Sequence, residues 1–154
     1  TILTLSTIYV VSFSPTFIGP FQSFLVTLGV PLASWAGIMM ADIALRHKSY
    51  DEFALFNSSG RYGAFNWVSL GLMALSCAIG WGLVINGYSD ASWNDWQGYL
   101  LGLIGGKDGV WAAGNIGVII AMAISFLGYY GASGSRVRAQ EKDQDAGIEA
   151  SLGA

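Results

Sequence analysis

The chain runs to residue 42 before it meets a charge: the first charged residue is Asp42, and the runs 62–89 and 109–135 carry none either. A water-soluble domain would have to bury all three runs completely. A lipid bilayer supplies the same environment directly, because a helix crosses it with roughly 20 consecutive apolar residues. Composition agrees: 53% of the chain is hydrophobic and 11% charged, against about 25% charged in an average soluble domain. The pattern predicts an all-α membrane protein, a bundle of transmembrane helices embedded in a lipid bilayer.

Turn and proline signals divide the 154 residues. The opening TILTLSTIYVV has neither a methionine nor the basic start of a signal peptide. It reads as a helix entered partway, so the expectation is a fragment of a longer protein. Ser14–Pro15 and Gly19–Pro20 break the first uncharged stretch, because the residue before proline avoids the helical region. The predicted segments are the end of a helix at 1–13, a span at 21–45, and a polar cytoplasmic loop at 46–61 with room for a short interfacial helix. A span at 62–87, an extracellular loop at 88–108, a span at 109–130 and a disordered cytoplasmic tail at 131–154 follow.

Orientation follows from the cationic residues, which accumulate in cytoplasmic loops. If the three spans alternate, Arg46, Lys48, Arg61, Arg136, Arg138 and Lys142 share one side and only Lys107 takes the other. The C-terminus is then cytoplasmic. Trp81, Trp93, Trp96 and Trp111 cluster at the outer interface, and Trp67, Tyr62, Tyr129 and Tyr130 mark the inner one. Small residues recur at i+4 spacing in each span: Gly29, Ala33, Gly37 and Ala41; Ala74, Ala78 and Gly82; Ala113, Gly117, Ala121 and Ser125. Such stripes let helix backbones approach closely in lipid.

Few residues could carry chemistry. His47 is the only histidine and Cys77 the only cysteine, so multi-histidine metal sites, histidine dyads and disulfides are excluded within one chain. The GGKDG at 105–109 lacks the frame of a phosphate loop and follows no strand. Nothing resembles a basic nucleic-acid surface, and the chain reads as no enzyme. Asp42 is the one acid near a span. It lies at the cytoplasmic end with Arg46 at i+4, which reads either as a structural ion pair or as an ion-coupling group. Pro31 removes a backbone hydrogen bond inside its helix, with Gly29 two residues before it. A kink or local unwinding near 27–31 is expected, as a passive bend or a moving hinge. The freed carbonyl must find a partner on a neighbouring helix.

The order of motifs across 21–87 resembles the C-terminal part of the nucleobase–cation symporter family, the purine, cytosine, allantoin and hydantoin permeases. The matching elements are AGIMMAD at 36–42, the basic turn and acidic follow-on at 46–52, and GRYG at 60–63 with Asn66–Trp67. The chain departs from the family in having Ile43 where tyrosine is usual, and Ser34 and Trp35 where a proline often stands just before the Ala-Gly pair; its own proline lies earlier, at Pro31. The resemblance implies the C-terminal fragment of a LeuT-like twelve-span transporter in the plasma membrane. The segment at 1–13 would end span nine, and the complete spans would be ten, eleven and twelve. A nucleobase-like substrate and a coupling Na+ or H+ would bind mainly on the missing N-terminal spans of the same protein. Span ten would supply an outer gate, with Leu25 at the gating position beside Phe24 and Phe21, and Gly29 and Pro31 as the hinge. Leu25 as a plain packing residue stays open. So does a different class of protein, a small structural helical subunit of a larger membrane complex, and so does a fragment of another LeuT-like permease family.

Overall fold

A computed structural model describes residues 18–57, 62, 65–86, 96–112 and 114–152. Its elements are α1 (Ile18–Leu45), the one-turn α2 (Glu52–Leu55), α3 (Trp67–Gly82), a 3₁₀ turn (Leu101–Ile104) and α4 (Ile116–Leu152). Among the described residues there is no strand, and the fold is all-helical. The expected helix end at 1–13, and Arg61, Trp93 and Ala113, lie outside the described residues.

Three helices form the body, and α4 packs against both others. Cross-contacts fix their directions. Ser34, Val30 and Thr27 of α1 meet Ser76, Gly80 and Trp81 of α3 in reverse order, so these two run antiparallel. Gly29, Gly37 and Asp42 of α1 meet Val118, Ser125 and Tyr129 of α4 in the same order, so α1 and α4 run parallel. The chain therefore goes up, down and up again. One end of the bundle holds Asp42, Arg46 and the C-terminal arm of α4. The opposite, far end holds the start of α1, the end of α3 and the 3₁₀ turn.

Glycine decides how closely the helices approach. At Gly80 an added Cβ would fall 2.5 Å from Val30 Cγ1, 2.9 Å from the Cβ of Ala121 and 3.1 Å from the carbonyl oxygen of Gly117. At Gly37 it would meet the Met122 carbonyl oxygen and, at 3.1 Å, the Cβ of Ser125. The stripes read from α1 and α4 are the packed faces here, with Gly37, Ala41, Gly117, Ala121 and Ser125 all buried. The stripe expected on α3 is not. Of its residues Gly82 is buried but Ala74 and Ala78 are exposed, and the rest of the buried face is Ser76, Cys77 and Gly80. Small residues surround α3 on every side, so their period does not select a face.

Two helices, Phe21–Leu45 and Ile116–Gly147, are long and apolar enough to cross a membrane. The span expected at 62–87 is helical only over the 16 residues of α3, about 24 Å at 1.5 Å per residue. Asn66 opens it as an N-cap, its side chain accepting from the Ser69 backbone N–H. Its end is fixed by another segment: Gly98 N–H donates to the Trp81 carbonyl at 2.9 Å and Leu100 N–H to the Gly82 carbonyl at 2.8 Å. Carbonyls that a longer helix would satisfy internally are taken by the returning chain. The span expected from 109 begins instead at Ile116, because residues 110–112 and 114–115 form turns, with Asn115 at φ 47°.

The largest correction concerns the tail. Residues expected to be disordered from Gly131 continue α4 without a break to Leu152. Ala, Gln, Glu, Lys and Arg are good helix formers, and they dominate 136–146. The buried stripe also continues through Tyr129, Ser133 and Val137 to Gln140 and Glu141, which pack on the turn after α1.

Candidate functional site

The arm end carries the densest polar cluster, and Asp42 is its centre. Asp42 is 7% exposed. Its Oδ2 accepts from Arg46 Nε at 2.7 Å and from the Tyr50 hydroxyl. Its Oδ1 accepts from the Tyr129 hydroxyl at 2.8 Å and, more weakly, from Arg46 Nη2 at 3.4 Å. The i+4 spacing of Asp42 and Arg46 puts both on one helix face. Tyr129 arrives from the packed stripe of α4, and Tyr50 from the turn that follows α1.

Arg46 is held on all sides. Its Nη2 donates to Gln140 Oε1 at 2.9 Å, and its guanidinium lies 4.4 Å from the Tyr50 ring centroid and 5.4 Å from that of Tyr62. Burial opposes the Arg46 charge, but the hydrogen bonds to Asp42 and Tyr50 outweigh it and hold its pKa above the ordinary value. Burial, reinforced by the bond to the Asp42 carboxylate, pushes the Tyr50 phenol above its ordinary value as well.

The arm closes the cluster. Glu141 Oε1 accepts from the backbone N–H of His47 at 2.6 Å and of Lys48 at 3.0 Å, and Lys48 pairs with Asp145. Arg136 donates to Asn66 Oδ1 at 2.8 Å and to the Tyr62 carbonyl at 3.1 Å, tying α4 to the entrance of α3. These groups tie the arm, the 46–50 turn and the start of α3 into one polar network. The cationic residues Arg46, Lys48 and Arg136 belong to it, whereas Lys107 lies beside Gly98 at the far end.

A second polar feature runs through the middle. Ser125 donates to Ser76 at 2.8 Å and Ser76 to Ser34 at 2.9 Å, one serine from each long helix, all fully buried. Sequence reading missed this chain of hydroxyls because no single helix carries more than one of them. The usable signal was that Ser125 sits in the small-residue stripe of α4.

The gate and hinge residues lie in the far half of α1. Phe21, Phe24 and Leu25 share its outward face and are 47%, 59% and 48% exposed. The helix is unbroken through Pro31, so the local unwinding expected near 27–31 is not present. Proline has no N–H to give the carbonyl four residues earlier, which here is that of Thr27. Trp81 Nε1 donates to that carbonyl at 2.9 Å from α3. The freed acceptor thus faces protein, and the replacement bond preserves the helix. Gly29 has room around it, with the nearest neighbour of an added Cβ being Val118 Cγ2 at 3.9 Å.

Among the described residues no group of three or more His, Cys, Asp or Glu side chains could hold a metal ion. No protein-family model, no curated protein and no solved structure matches the chain.

Proposed function

We propose that this chain is the C-terminal portion of a cation-coupled membrane transporter for nucleobases or related ring compounds, contributing an outer gate helix and peripheral helices. The observation that carries the reading is the outward apolar row at the far end of a helix packed along its other face. Its arm-end half is packed on α4 through Gly37 and Ala41 and fixed by the Asp42 cluster. Its other half presents Phe21, Phe24 and Leu25 outward, beyond Pro31. A helix end that is held on its inner face through Ser23 and Thr27 and carries a bulky apolar row on its outer face suits a gate over a substrate held at mid-depth by the missing spans.

The chain then sits in the plasma membrane as a multi-pass segment with its C-terminus cytoplasmic, supported by the gathering of Arg46, Lys48 and Arg136 at one end. Phe24, Trp35, Ile43 and Leu127 are all more than half exposed. Soluble monomers rarely show so much contiguous apolar surface, and lipid or the missing spans would cover it. Asp42 acts in this reading as a structural pin, since four hydrogen bonds already fill its carboxylate.

Leu25→Ala in the full-length protein tests the gate. It should admit ring compounds with bulkier substituents, with membrane insertion unchanged, in transport assays against a series of substituted nucleobases. An unchanged selectivity series would make Leu25 a packing residue. The internal pairing of the polar network favours a second reading, a structural helical subunit of a larger membrane complex. The upstream reading frame separates the two: eight further spans support the transporter, and a start codon near Thr1 supports the subunit.

A further inference from the structure

At the far end of the bundle two buried amides are left with unmet hydrogen-bonding groups. Gln97, 2% exposed, donates its Nε2 to Thr27 Oγ1 at 3.0 Å. The Thr27 hydroxyl proton is already given to the Ser23 carbonyl at 2.9 Å. The buried Gln97 Oε1 has no partner, and turning the amide over would only leave a buried N–H unmet instead. Asn86 accepts from the Ser23 hydroxyl through Oδ1 at 2.7 Å, and its buried Nδ2 has no partner. Turning this amide over would only exchange an unmet donor for an unmet acceptor.

The two amides are anchored one turn apart on the same face of α1. Ser23 and Thr27 are separated by about 6 Å along the helix. Two hydrogen bonds meeting at one water's roughly tetrahedral angle span about 4.5 Å, within reach of two amides anchored one turn apart. Buried polar groups in native proteins are satisfied by protein or by ordered water, and a buried water needs two to four polar partners.

We propose that Asn86 and Gln97 together hold one buried water molecule that ties the far half of α1 to the chain on both sides of the connection after α3. Water donates to Gln97 Oε1 and can accept from, or donate to, Asn86, so it fits either orientation of that amide. A cation takes acceptor atoms alone, and the Asn86 N–H left by the Ser23 bond would repel it. Trp81, bonded to the Thr27 carbonyl and edge-on to Trp96 at 5.3 Å, walls the same region. The assignment does not rest on the transport reading.

The test is a double-mutant cycle in the full chain with Asn86→Leu and Gln97→Met, near-isosteric changes that each remove one pole. If one water serves both, the double variant should lose less than the two single losses combined, because the bonds to Ser23 and Thr27 go separately but the water is lost only once. The folded-to-unfolded ratios should then depart from multiplicativity by about fivefold or more. Multiplicative effects would mean two independent groups and would overturn the proposal. Should either variant fail to fold, density for the unmodified protein decides: a solvent peak within hydrogen-bonding distance of both amides supports the site, and direct protein partners for both overturn it. A thermal midpoint that rises in Na+ over choline at equal ionic strength, and loses that rise in Gln97→Met, would assign the site to a cation and overturn the water.

Discussion

Replacing Asp42 by asparagine tests the polar cluster most directly, because the change keeps the side chain's shape and removes its charge. The carboxylate accepts four hydrogen bonds, two from Arg46 and one each from Tyr50 and Tyr129. Asparagine retains one acceptor oxygen and points an NH2 group at the remaining donors. Removing one partner of a buried ion pair costs about 3–5 kcal/mol, and both side chains here are only 10–11% exposed. Arg46 keeps Gln140 Oε1 and the faces of Tyr50 and Tyr62, which places the cost near the lower end, about 3 kcal/mol, or about two orders of magnitude in the folded-to-unfolded ratio. Unfolding in lipid–detergent micelles titrated with SDS, followed by circular dichroism and tryptophan fluorescence, reads this directly. The double variant Asp42→Leu with Arg46→Met should cost less than Asp42→Asn alone, since no uncompensated charge stays behind. If Asp42→Asn falls within about 0.5 kcal/mol of the parent, the cluster does not hold the helix end. On the transporter reading proposed above, a variant that spares stability but abolishes ion-dependent transport by the full-length protein would make Asp42 a coupling group.

Three further outcomes follow from the geometry. Gly80→Ala should destabilise by about 1–3 kcal/mol through overpacking against Val30 and Ala121, whereas Gly29→Ala, with open space around it, should stabilise by up to about 1 kcal/mol through helix propensity; the same SDS titration ranks them, and equal effects would contradict the packing. Because the folded Tyr50 phenol lies above its ordinary value, its contribution is complete below the unfolded value of about 10 and is lost as pH rises through the folded value. Stability measured above pH ~10 should therefore fall less steeply in Tyr50→Phe than in the parent, and identical alkaline slopes would remove Tyr50 from the network. Glu141→Ala should expose the His47 and Lys48 amides to faster hydrogen exchange while leaving α3 unchanged, and unaltered protection would mean that the arm does not seat on this turn.

The parts of the fold legible in the sequence are those set by contrast between neighbours along the chain. The uncharged runs located the three long helices but matched only α1 in extent, and Gly37, Ala41, Gly117, Ala121 and Ser125 marked packed faces because bulky residues flank them. Pro31 announced that the Thr27 carbonyl would need a donor from elsewhere, though not that Trp81 would supply it; that pairing depends on the antiparallel register of α1 and α3, which no local signal encodes. On α3 the contrast fails. Gly71, Ala74, Ser76, Cys77, Ala78, Gly80 and Gly82 leave small residues on all sides, and the face is chosen by the hydroxyl partners of Ser76 on the other two helices.

The C-terminal arm shows why composition misleads where periodicity does not. From Gly131 the chain turns small, polar and charged, which is the composition of a disordered tail. Yet the i+4 series that begins at Gly117 and Ala121 runs on through Ser125, Tyr129, Ser133 and Val137, and every member is buried. What changes at Gly131 is what covers the face. Up to Tyr129 it is the apolar side of α1 and α3. Beyond it, the ionic end of α1 and the 46–50 turn take over, and Gln140, Glu141 and Asp145 are complementary to Arg46, the free N–H groups of 47 and 48, and the Lys48 ammonium. The Asp42 cluster forms at the point where that face changes from apolar to ionic, and Tyr129, apolar in its ring and polar at its hydroxyl, is the residue that spans the change.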